Sequence, residues 1–170
     1  MSLSVRQAIV FGLSVVLSAV LLYRISPYLM ENRVENGDRA PAAELAELGV
    51  DLEQYAGKYV LLNFWASWCA PCVQETPSLN QLQKELAGEG LVVLGISVDR
   101  DGDAYEQFLD LFDIEFPTAR DPDATVAIRY GTNRYPESYL IDREGYVTKK
   151  YIGAENWMRP EVVNYLRSVL

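Results

Sequence analysis

The sequence predicts an α/β fold, a central mixed sheet flanked by helices, from three observations. First, two runs, Tyr59-Val60-Leu61-Leu62-Asn63-Phe64-Trp65 and Leu91-Val92-Val93-Leu94-Gly95-Ile96-Ser97-Val98, are apolar on both faces, as strands covered by helices on each side must be. Second, Leu79, Leu82 and Leu86 recur between them at helical spacing, so strand, helix and strand form a right-handed parallel unit. Third, Ser138-Tyr139-Leu140-Ile141-Asp142 and the run from Tyr146 to Ile152 flank the tight connection Arg143-Glu144-Gly145, which predicts an antiparallel hairpin.

The chain divides into three parts. Between Arg6 and Arg24 every residue is uncharged, a helix about 25 Å long at the standard rise, against a hydrocarbon core of roughly 30 Å. It spans if the two arginines snorkel or if Pro27-Tyr28-Leu29-Met30 completes the far interface. Ser18-Ala19, followed by bulky Val20-Leu21-Leu22, is a poor signal-cleavage site, and the run has no amphipathic face for core packing. Residues 1–30 are therefore expected to be an uncleaved transmembrane anchor with its N-terminus inside, and the soluble domain to face an oxidising compartment. Residues 31–41 read as a polar linker that becomes ordered near Gly37, and 42–170 as one folded domain.

Within that domain the helix carrying Leu79 opens at Cys69 and runs to about Ala87, where Gly88 and Gly90 end the pattern and Pro77 is expected to kink it. Asp99 to Asp103 is rich in capping residues and precedes a helix marked by Tyr105, Phe108 and Phe112. Asp121-Pro122 places a cap and a first-turn proline before a short helix ending at Gly131. Pro160, Val163, Leu166 and Leu170 give a last helix that covers the sheet.

Composition removes several functions. The formal charge is -9, from 15 Lys+Arg and 24 Asp+Glu, so nucleic acid is not an expected partner. No histidine is present, which excludes Ser/His/Asp and Cys/His mechanisms. Both cysteines lie in Cys69-Ala70-Pro71-Cys72, where a strand turns into a helix. Two thiols at that spacing close into a disulfide and reopen with little backbone movement. Haem attachment requires histidine after the second cysteine, and Val73 stands there. A metal site lacks further ligands, so no cofactor is expected beyond the redox disulfide. A peroxidase working through one reactive thiol remains possible on such a fold, though the close second cysteine favours exchange with a disulfide.

Strand, helix, strand, connecting segment, hairpin and helix is the layout of a thioredoxin fold, with the cysteines at the first helix N-terminus. The positive end of that helix and its free N–H groups stabilise a thiolate, so Cys69 is the expected nucleophile and Cys72, one turn deeper, the resolving thiol. Pro71 limits the geometries of the pair. Cys72 must lose a proton to resolve, and two side chains compete for a place near it. Asn63 on the preceding strand cannot titrate, whereas Glu75 lies three residues along the same helix face and is the expected proton acceptor. A cis bond at Tyr135-Pro136 would turn the Tyr135 backbone toward the dithiol. Trp65 is expected in the core, and Trp68, Ala70, Pro71 and Tyr135 are the expected substrate contacts.

These residues resemble those of the membrane-anchored thioredoxin-like proteins of the TlpA/ResA/CcmG type over roughly Gly37 to Leu170. The resemblance rests on Gly37-Asp38-Arg39-Ala40-Pro41, the run from Leu61 through Cys72, Glu75-Thr76-Pro77, Tyr130-Gly131, Tyr135 through Asp142, Gly153 and Trp157. It implies a thioredoxin-like fold with an N-terminal hairpin and a strand and helix inserted over Asp113 to Tyr130. It implies Cys69 and Cys72 as the dithiol, Glu75 as the active-site acid and Pro136 as a cis-proline. Such proteins act as periplasmic or extracytoplasmic reductants, and the branch similar at Pro136-Glu137-Ser138 reduces apocytochrome c in cytochrome c biogenesis with electrons from a membrane thiol reductase. The expected function is therefore reduction of protein disulfides by a monomer anchored in the cytoplasmic membrane. Reduction of other envelope proteins, such as copper-site targets, is an alternative, as is a redox-inert module that holds extended peptides.

Overall fold

The computed structural model describes residues 5–30 and 33–170 and places them in two compact units that divide after Arg33. The N-terminal unit is a single helix, α1 (Val5–Met30). Its described side chains are exposed, Phe11 and Leu17 at 71% and 75%. Among the described residues no helix is long and apolar enough to cross a membrane.

In the second unit, Val34–Leu170, the strands are β1 (Tyr59–Trp65), β2 (Leu91–Ser97), β3 (Thr118–Arg120), β4 (Glu137–Ile141) and β5 (Val147–Ile152). They form one sheet in the order β3-β2-β1-β4-β5, parallel from β3 to β1 and antiparallel from β1 to β5. The helices are α2 (Ala42–Glu47), α3 (Ala70–Leu86), α4 (Gly102–Phe112), α5 (Thr125–Arg129) and α6 (Pro160–Val169). This is a thioredoxin-like fold, and the strand and helix expected between Asp113 and Tyr130 are β3 and α5.

Strand alternation sorts the core into two layers. Val60, Leu62 and Phe64 of β1 pack with Leu45 of α2, Phe108 of α4 and Val126 of α5. Leu61 packs on the other face with Leu79, Leu82 and Leu86 of α3 and Val163 and Leu166 of α6. Since side chains alternate along a strand, Asn63 joins Leu61 on the α3 face, which brings a polar group beneath the helix that carries the cysteines. At Gly95 a Cβ would lie 2.9 Å from the Trp65 indole nitrogen and 3.0 Å from the Phe116 ring, so only glycine leaves Trp65 its place.

The structure departs from expectation before β1 and before α5. The stretch expected to be linker enters the folded unit from Val34. The Gly37 N–H donates to the Val147 carbonyl at 2.7 Å, Val147 N–H to Asp38 at 2.8 Å and Ala40 N–H to Gly145 at 2.9 Å. The N-terminal hairpin is not formed among the described residues: Arg39 instead bridges to Tyr146 beside β5. Ala42-Ala43-Glu44-Leu45-Ala46-Glu47 takes its strong helical propensity. Asp121 does cap α5, donated to by the Thr125 and Ala127 N–H groups at 2.9 and 3.0 Å, but it sits four residues upstream, and Pro122 lies in a turn outside the helix. Helix α3 runs through Pro77 without interruption; its ring is exposed, where the missing donor costs least.

Candidate active site: the Cys69–Cys72 dithiol

The dithiol forms where β1 ends and α3 begins. Pro71 stands in the first turn of α3, where its lack of an N–H leaves no bond unmade, and Cys69 is the N-cap. The Cys69 sulfur accepts the Cys72 N–H at 3.3 Å, and the two sulfurs are joined in a disulfide with Cα atoms 5.2 Å apart. That N–H and the helix dipole favour negative charge on Cys69 once the bond is reduced. Cys72 is wholly buried and Cys69 is 6% exposed, so an approaching sulfur meets Cys69 first.

The turn is held from β2. The buried Asp99 carboxylate accepts the Ser67 N–H at 2.9 Å, the Ser67 hydroxyl at 2.7 Å and the Ser97 hydroxyl at 2.6 Å. Sequence reading took Asp99 as part of a capping loop; the cap of α4 is Asp101, and Asp99 fixes the turn ahead of Cys69. The signal available was a carboxylate at the end of a doubly apolar strand, the place where ligands and sites gather in open α/β sheets.

Beneath the dithiol lies Glu75, 3% exposed. Its Oε1 accepts the Asn63 amide at 2.8 Å, and its Oε2 accepts the Glu155 N–H at 3.0 Å and the Trp157 indole N–H at 3.3 Å. Asn63 also donates to the Ser138 hydroxyl at 2.8 Å. Burial pushes the Glu75 carboxyl up to about 7, against the three hydrogen bonds that favour its charged form. Asn63 and Glu75, rivals in the sequence, are partners in space. Ser138 was not foreseen in the site, nor was the contact of Trp157, which comes from the turn before α6 and reaches Glu75 from 82 residues along the chain.

The Tyr135-Pro136 peptide bond is cis. The Tyr135 ring meets the Trp68 ring edge-on at 6.1 Å, and Trp68 is 67% exposed beside the exposed Ala70 and Pro71. These four residues thus form one surface around Cys69, while Trp65 is buried against Phe108 at 4.5 Å, as expected. A cleft of about 540 Å³ opens beside them, lined by Trp68, Val98, Ala104, Pro122 and Tyr135 among others. Next to the cis-proline, Glu137 and Lys150 form a buried ion pair at 2.6 Å.

The AhpC/TSA family model matches residues 36–150. The chain belongs to this family. A ResA thiol-disulfide oxidoreductase of Bacillus thuringiensis subsp. konkukian is 30% identical over 145 residues, covering 84% of this chain and 83% of its own. A thioredoxin-like protein of Bacillus subtilis, YneN, is 35% identical over 126 residues, covering 71% of this chain and 73% of its own. The crystal structure of a thiol:disulfide interchange protein DsbE from Chlorobium tepidum is 32% identical with a TM-score of 0.66, covering 79% of this chain and 94% of that one. This family member is a thiol-disulfide oxidoreductase with a CxxC pair, which sets aside the redox-inert peptide module.

Proposed function

We propose that the oxidoreductase runs as a reductant of protein disulfides outside the cytoplasm, with Glu75 as the proton acceptor of Cys72. The Cys69 thiolate attacks one sulfur of the substrate disulfide, forming a mixed disulfide and releasing the other sulfur as a thiolate that takes up a proton. Cys72 passes its proton to the Glu75 carboxylate and attacks the Cys69 sulfur, which releases the second substrate thiolate. Two electrons leave the dithiol, the substrate disulfide becomes a dithiol, and Cys69–Cys72 is left oxidised. A membrane thiol reductase then restores it. The observation that carries this reading is the buried Glu75 carboxyl, poised near neutrality on the helix face of Cys72.

The exposed Trp68, Ala70 and Pro71 with the half-buried Tyr135 are suited to an extended substrate segment lying against cis-Pro136. Apocytochrome c, in cytochrome c biogenesis, is the substrate we favour, on the likeness of Pro136-Glu137-Ser138 to that branch; copper-site proteins of the envelope are the second choice. Residues 1–30 are proposed as the anchor of a monomer in the cytoplasmic membrane with the catalytic domain in the periplasm or its equivalent, supported by the exposed apolar side chains of α1.

Trapping tests the reaction. Mixing the Cys72→Ser variant with an oxidised Cys-x-x-Cys-His peptide of apocytochrome c should accumulate a mixed disulfide at Cys69, and Glu75→Gln should shift the pH profile of peptide reduction. Absence of any adduct would sink the substrate, and an unchanged profile would sink the role of Glu75.

A further inference from the structure

Glu75 has a second side. Away from the cysteines it lines a groove of about 620 Å³ between α3, at Gln74, Pro77, Ser78 and Gln81, and the turn Ala154 to Met158. The turn is tied to α3 through Glu75 and Ser78. The Glu155 N–H binds Glu75 Oε2, and the Trp157 N–H donates to the Ser78 hydroxyl at 3.2 Å. Glu155 therefore stands where the buried carboxyl meets water, and its own side chain is only 20% exposed.

We propose that Glu155 is a positioning residue for Glu75, fixing Oε2 through its backbone N–H and holding a proton on Glu75 through its own negative charge, with the groove as the path by which water reaches that carboxyl. The proposal rests on Glu75 being the proton acceptor and adds a neighbour that tunes the proton affinity burial has raised. The groups that face Glu75 are few. Asn63 from β1 and the Trp157 indole are neutral donors, Cys72 shares its helix, and Glu155 is the charged neighbour on the turn. Arg159 pairs with Glu155 at 2.8 Å, partly offsetting the charge that Glu75 feels. Like charges oppose one another, so the Glu155 carboxylate favours the protonated form of Glu75. The arrangement gives a resolving acid whose midpoint, raised chiefly by burial, is trimmed by a surface pair.

Opposite substitutions separate this from a structural role. Glu155→Gln keeps the backbone N–H and removes the charge, so the Glu75 midpoint should fall. Arg159→Gln uncovers the charge, so the midpoint should rise. The carbon-13 carboxyl shift of Glu75, followed against pH in the oxidised full-length protein at low salt, reads the midpoint without using activity. Movement in these two opposite directions supports the proposal; a midpoint that stays in place or rises in Glu155→Gln overturns it. If the midpoints move as stated while the pH profile of disulfide exchange does not follow them, the tuning by Glu155 stands and the role of Glu75 as proton acceptor fails.

Discussion

At the residue scale, the site turns on a carboxyl in a place that disfavours its charge. The ordinary value for Glu75 is 4.5 and its value in the fold is about 7. Between those pH values the folded chain keeps a proton that the unfolded chain has released. Stability from this group therefore falls as pH rises through that window, by up to about 3 kcal/mol above pH 7. Glu75→Gln cannot titrate, so its unfolding free energy should lose less between pH 5 and pH 8 than the wild type does. Urea unfolding at the two pH values checks this, and parallel losses would refute it. The variant will be less stable at pH 5, because its amide turns a donor toward the Glu155 and Trp157 N–H groups, or toward Asn63 if it flips. Asn63 was legible in the sequence as a polar residue in an apolar strand. Its partner was legible too, and only their pairing was hidden.

At the element scale, helices bear on the dithiol through their ends and faces. The N-terminus of α3 presents Cys69, and Asp101 caps α4 by accepting the Asp103 and Ala104 N–H groups at 2.9 and 3.3 Å. Through Tyr105 and Phe108, α4 packs on Trp65, the last residue of β1 before the cysteine turn. Asp101→Ala should cost about 1 kcal/mol in thermal or urea unfolding, and a loss below measurement would mean that water replaces the cap fully. Strands β1 and β2 and helices α3, α4 and α6 were each readable from periodicity and caps. The expected N-terminal hairpin does not form among the described residues, because the backbone of Gly37 to Ala40 finds its partners at Gly145 and Val147, far along the chain.

At the scale of the whole molecule, the domain and the N-terminal helix are separate units. A chain restricted to residues 34–170 should retain disulfide exchange at the rate of the full chain in solution, while sedimentation with lipid vesicles should be lost; vesicle binding by the truncated chain would place the membrane contact in the domain. By itself, the sequence determined the alternation of buried strands and helices, the cysteine turn on a helix N-terminus, and Glu75 on the face of Cys72, because each is a matter of spacing along one element. Only the tertiary structure decided that Asp99 holds the turn, that Asn63, Glu155 and Trp157 converge on Glu75, and that Tyr135 meets Trp68. Those contacts join residues far apart in sequence, and burial, which sets the proton affinity of Glu75, is a property of the folded surroundings and of no single segment.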